Sequence, residues 1–551
     1  MIGFNVLVTV CLAYVAMLFI VAFAAERRAE RGAVGWLRSP IVYTLSLSIY
    51  CTAWTFYGAV GYAVRSGLEF VTIYLGPTLV MIGWWWLVRK LVRIGRSQRI
   101  TSIADLISSR YGKSNFLGVI VTVLAVIGTT PYIALQLQSV TLSFSVFSHE
   151  AGTRISVEEL GETGLLVAIG LALFTILFGT RRLDANERHH GVVTAIAVEA
   201  VVKLVALLAV GVYVVWAVAD GPADIMDRVQ MSNIAEWNLQ GDRWAVLIFL
   251  SAAAFICLPR MFQVMVVENA DERHLRVASW AFPLYLFLMS LFVIPIAVVG
   301  LSTLPNGNPD LYVLTIPLAL GQDGLAMLSF LGGFSSATSM VIVAAIALST
   351  MVSNHIVMPL WLASSQEGAS VSGDVRSVAI LARRVSIAAI LLLGYLYFYF
   401  SGGSEALAAI GLISFTGVAQ VLPSLLGALF WRGATRIGAA IGLCVGFAIW
   451  AYTLFLPSFG ESFLLAAHVV ENGPFGIAWL KPQSLFGIEG LDPGVHAVFW
   501  SILLNTTGFI IGSLLSFPTP LERLQGAQFV YVLNALPVRA AGRQGTRRPR
   551  I

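Results

Sequence analysis

Charge is scarce in this chain: only 11% of its 551 residues are Asp, Glu, Lys or Arg, against about 25% in an ordinary soluble domain. That shortage excludes a water-facing globular fold. Cysteine is scarce too, with four residues, Cys11, Cys51, Cys257 and Cys444. All lie in apolar segments without metal-ligand spacing, which excludes a transition-metal site and a disulfide framework and leaves packing roles, with Cys51 and Cys257 set apart by their place in interrupted spans. The apolar runs never alternate with polar residues, so a β-barrel is excluded. No basic residue precedes the first run, Phe4 to Ala25, which reads as a retained helix rather than a cleaved leader. There is no Gly-rich nucleotide loop, and none of the seven histidines follows His496. An enzyme is therefore not expected, nor an organic cofactor.

What the chain has is hydrophobicity, at 58% of residues. A membrane-spanning helix takes about 20 apolar residues, and the sequence supplies roughly thirteen such segments. They fall near 4–25, 40–62, 70–92, 116–146, 163–178, 189–217, 244–266, 277–304, 324–350, 378–400, 404–430, 437–456 and 494–516. Loops after odd-numbered spans are basic, with Arg27, Arg28, Arg31 and Arg38 after the first, Arg96 and Arg99 after the third, and Arg181, Arg182 and Arg188 after the fifth. The opposite loops are acidic or nearly free of basic residues. The asymmetry places the N-terminus outside and the C-terminus in the cytoplasm of a cell inner membrane, which needs an odd number of spans. The net charge of +5 is then a topology signal and not a nucleic-acid footprint. The basic end, Arg539 to Arg550, is expected to lie against the anionic inner leaflet.

Two spans read as interrupted. The second carries the polar run Ser46 to Gly58, and the seventh carries Cys257-Leu258-Pro259-Arg260. Broken helices at matching positions in two halves mark the binding region of an inverted-repeat transporter, here with spans 2–6 and 7–11 as the halves. The ninth span holds Gly332-Gly333-Phe334-Ser335-Ser336-Ala337-Thr338-Ser339. Lipid offers hydroxyls no partners, so this patch faces helices, a cavity or an ion, or bonds back to its own helix. Glu199 and Lys203 stand four apart on one face of the sixth span, either as an internal ion pair that fixes packing or as part of a gate. Adjacent His189 and His190 do not share a helix face, so no metal is expected there. Tyr57, Gln136 and Arg260 are candidates for solute contact.

These residues resemble the sodium:solute symporter family. The likeness is carried by Leu45-Ser46 with Trp54, Gly58, Gly61 and Ser66-Gly67, by Ile100 to Leu106 with Arg110-Tyr111-Gly112, and by Pro423 to Gly427 with Phe430 to Thr435, Gly438 and Gly442. It runs over roughly residues 1–520. It implies an all-α integral membrane domain of about 13 transmembrane helices, with a five-plus-five inverted-repeat, LeuT-like core at about 40–430 and a short basic cytoplasmic tail at 521–551. It also implies a sodium ion held by the hydroxyls of Ser335 and Ser336, with carbonyls near Gly332, Ser48 and Cys51 completing the site. A narrower resemblance, through Phe178 to Asp184, Glu187-Arg188-His189, Glu199 to Lys203 and Leu521 to Gln525, is to the transporter-like input domain of bacterial sensor histidine kinases.

Two functions follow as expectations. The first is a sodium-coupled secondary transporter of a small organic solute, such as an amino acid or a short carboxylate, working by alternating access. The alternative is a sensory input module of a two-component system, ending before its kinase domain and served by a separate signalling kinase.

Overall fold

The computed structural model describes residues 4–31, 35–36, 38–148, 157–179, 190–236, 241–364, 372–401, 407–459 and 465–533. Arg181, Arg182, Arg188, His189 and the Arg-rich end beyond 533 lie outside these residues. The described chain is helical, without strands. Nine helices in it are long and apolar enough to cross a membrane, and a bent pair, Gly241–Cys257 with Pro259–Val267, makes a tenth. The second, third and fifth expected spans correspond to shorter or divided helices.

Both expected interruptions are present, and each has a local cause. In the second span the Pro40–Ser46 helix tightens into a 3-10 turn at Leu47–Tyr50, and Cys51 is extended with φ −78° and ψ 103°. Helix resumes in a wide turn at Trp54–Gly58. In the seventh, Leu258 is extended with ψ 128° because proline disfavours helical geometry in the residue before it. Pro259 then opens a new helix at a position where its missing N–H costs nothing. The two halves of this span meet at 55°.

The third span departs from expectation. It stops at Ile82 rather than running to 92, and a turn at Gly83 leads into a separate amphipathic helix, Val88–Gln98. A stretch with Arg89, Lys90, Arg93 and Arg96 gains nothing from continuing through lipid. The expected tail is also revised. Residues Pro520–Val530 form a helix with a reciprocal Thr519–Glu522 capping box. Glu522 Oε1 accepts from the Arg436 N–H at 2.7 Å, and Lys90 Nζ donates to Val530 O at 2.8 Å, so this helix belongs to the packed core.

Small residues set the helix spacing. The sixth span, His190–Tyr213, packs on the ninth, Asp323–Val352, and the first span, Phe4–Glu30, packs on the sixth. A Cβ on Gly332 would stand 2.7 Å from Phe56 and Ala206, and one on Gly333 would stand 2.1 Å from the Tyr57 ring. These glycines bring the ninth span against the far side of the second span's break. The last two spans pair in the same way, with Gly438 and Gly442 against Ser513 and Asn505.

Candidate solute and cation site

A helix break inside a membrane protein leaves backbone groups that only protein can satisfy. In the second span those groups are met by side chains from two other helices. The Lys203 ammonium, on the sixth span, donates to Ser48 O at 2.7 Å and Cys51 O at 2.8 Å. From the fourth span, Gln136 Oε1 accepts from the Ala53 N–H at 3.1 Å, and the Tyr132 hydroxyl adds a side-chain bond of 2.8 Å to the Thr52 hydroxyl. Lys203, Gln136, Ser48 and Cys51 are all fully buried.

This geometry revises the reading of Glu199 and Lys203 as an internal ion pair. Among the described residues the ammonium bonds the broken helix and not the carboxylate one turn away. Glu199 is buried, lines a small space with Leu18, Phe174, Ile196 and Ser339, and its Oε1 has no hydrogen-bond partner among the described residues.

The five residues that the resemblance assigned to sodium fall into two groups. Ser48 and Cys51 offer their carbonyls to Lys203. On the ninth span, Ser336 donates back to Gly332 O at 2.8 Å, and Ser335 accepts from the Tyr14 hydroxyl at 2.8 Å. Thr338 and Ser339 bond back to Phe334 O and Ser335 O. A sodium ion about 4 Å from the ammonium would meet a repulsion of about 4 kcal/mol at an effective dielectric of 20. As arranged, the carbonyl half of this donor set does not fit a second cation.

The other break borders a different chemistry. The Arg260 guanidinium is fully buried, lies 4.4 Å from the centre of the Tyr132 ring with that phenol as its polar neighbour, and meets no carboxylate among the described residues. Tyr132 stacks on Phe415, with ring centres 5.4 Å apart, and Phe415 also meets Trp54 and Tyr50. The Trp54 indole N–H is likewise buried without a partner among the described residues. Arg260, without a carboxylate, and the unpartnered Trp54 indole N–H therefore border one aromatic cluster near the two breaks. Buried charge is costly unless paired, so Arg260 is the group at these breaks with the strongest call for an anionic partner.

Of the expected solute residues, the structure brings Arg260 and Gln136 to the breaks. Tyr57 instead packs on the ninth span, with its hydroxyl 3.5 Å from Ser329 O. Tyr14, Trp54 and Tyr132 were not anticipated. Tyr14 carried one signal, a phenolic hydroxyl deep in a largely apolar first span. Trp54 was named only as part of the interrupted second span, and Tyr132 carried no signal of its own.

The fold these helices make is that of LeuT-like symporters. The structure superposes on a sodium-coupled sialic acid symporter, in its substrate-bound outward-open state, with a TM-score of 0.63 over 93% of this chain and 98% of that one, at 14% identity. By sequence the chain is similar to two proteins of Bacillus subtilis (strain 168). The uncharacterized symporter YodF is 25% identical over 78% of this chain and 80% of its own length. The uncharacterized symporter YhjB is 23% identical over 74% and 78% respectively. No protein-family model matches the sequence.

Proposed function

We propose that this protein is a secondary transporter of a small organic solute bearing a carboxylate, an amino acid or a short organic acid, and that it works by alternating access. The observation that carries this reading is Arg260, a buried guanidinium with no carboxylate partner among the described residues, beside two broken helices. Its planar fork matches a carboxylate in two-point geometry. Trp54 and the Tyr132–Phe415 stack supply a wall for the rest of a small solute. The likeness to proteins named symporters supports the transport class, and the sodium-coupled fold neighbour supports an ion gradient as its driving force.

On this reading the N-terminus lies outside the cell membrane and the C-terminus in the cytoplasm. The charge of the loops supports this, and Arg89, Arg93, Arg110 and the terminal helix share the expected cytoplasmic end. The test is uptake of labelled amino acids and short carboxylates into vesicles holding the purified protein. Accumulation is expected, and Arg260→Ala should lower it at least thirtyfold, about 2 kcal/mol of lost binding. Unchanged accumulation in the variant would overturn the assignment of Arg260. Binding without accumulation in the parent protein would favour the sensory module instead.

A further inference from the structure

Lys203 has an unusual partner for a buried lysine. Its ammonium is fully buried, carries no bonded carboxylate among the described residues, and is held by two main-chain oxygens at nearly equal distances of 2.7 and 2.8 Å. Those oxygens, on Ser48 and Cys51, flank the point where the second span unwinds, the Ser48 oxygen also accepting the Cys51 N–H at 2.8 Å. A monovalent cation is what such carbonyls attract, because each presents the negative end of a dipole into a buried site. We propose that Lys203 is a tethered cation that takes the place of a bound sodium ion between the sixth span and the broken second span. This chain then holds the break in shape without sodium.

Three further observations agree. Ser336 donates its proton to Gly332 O, so the ninth-span carbonyl expected to ligate sodium is already engaged in a helix-turn bond. Ser335 is engaged by Tyr14 from the first span. Glu199, which would otherwise neutralise Lys203 directly, faces the first and ninth spans instead. The charged or ionisable groups in electrostatic range of Lys203 are Cys51, Glu199 and Arg260. A tethered cation differs from sodium in one functional respect: it cannot leave. A sodium gradient therefore does no work through this position, and any coupling ion acts elsewhere. The inference rests on the transporter reading for its meaning, but its test needs no solute.

The experiment is binding of radioactive sodium to the purified full-length protein, with thermal unfolding followed in sodium and in choline chloride at equal ionic strength. The parent protein should show no saturable sodium binding and the same unfolding temperature in both salts. Lys203→Ala removes the charge and opens space, so it should bind sodium at least about a hundredfold more tightly than the parent and be stabilised by sodium. Lys203→Met removes the charge but keeps the bulk, and should not bind. Saturable binding by the parent that Lys203→Ala does not tighten would overturn the proposal, as would a folded Lys203→Ala that ignores sodium. Should Lys203→Ala unfold in choline, rescue by sodium and not by potassium supports the proposal, and failure of that rescue overturns it. Absence of uptake in the vesicle assay would count against the transporter reading and leave these results standing.

Discussion

At the scale of single residues, the breaks are held by a few side chains whose partners are backbone atoms. Gln136 serves the Ala53 N–H through its side-chain oxygen, an acceptor that an apolar side chain of similar size lacks. Gln136→Leu leaves that N–H buried and unpaired, which should cost about 1–3 kcal/mol in denaturant or thermal unfolding. Gly333 is the steric counterpart. Its added Cβ would lie 2.1 Å from the Tyr57 ring, deep inside normal contact distance. Gly333→Ala should destabilise by about 1–3 kcal/mol through overpacking. Shortening Tyr57 to Leu in the same molecule should recover some of that loss, and a double variant no better than the single one would show the clash lies elsewhere.

At the scale of elements, the terminal helix differs most from its expectation. Its cap does two things, because Glu522 bonds the Thr519 N–H within its own capping box and the Arg436 N–H on the twelfth span. Arg110 and Tyr111 reach the end of the eleventh span from below, through Ala428 O, Trp431 O and Ser424 O. Gly112 follows with φ +77°, a turn that an L side chain resists, and it sits against Glu522. The Arg-Tyr-Gly sequence and the terminal helix are therefore one clasp. Thr519→Ala removes half of the capping box, at about 1 kcal/mol. Faster amide exchange confined to 520–530 is expected, and exchange that spreads evenly through the core would contradict a local clasp.

At the scale of the whole molecule, ion pairs join the two halves at both ends. At one end Arg65, on the second span, pairs with buried Asp310 at 2.6 Å, and a Cβ on Gly61 would collide with the same carboxylate. At the other end Arg89 and Arg93, beyond the third span, both bond Glu272, beyond the seventh. Alternating access requires such pairs to separate first at one end and then at the other. Partial burial alone would raise the Glu272 carboxyl, but hydrogen bonds from Arg93 and Arg89 outweigh it and bring it below its ordinary 4.5. A lowered carboxylate contributes stability that is present above its unfolded value and is lost as pH falls through the folded one. The parent protein should therefore lose stability relative to Glu272→Gln below about pH 4.5. Unfolding temperatures that run parallel from pH 3 to pH 7 would show that this clasp contributes nothing.

The sequence by itself determined the membrane class, the helical fold and the two interruptions, because each follows from local chemistry. Lipid demands long apolar helices, and a proline or a polar run marks where one must break. It also placed Arg260, Gln136, Glu199 and Lys203 among the residues of interest, since charge and amide groups at membrane depth need partners. Only the tertiary structure decided which partners they have. Spacing along one helix suggested that Lys203 would meet Glu199, but the exposed carbonyls of another helix compete for the same ammonium and hold it. The aromatic cluster around Arg260 was equally illegible, since Trp54, Tyr132 and Phe415 come from three separate spans and converge only when the bundle packs.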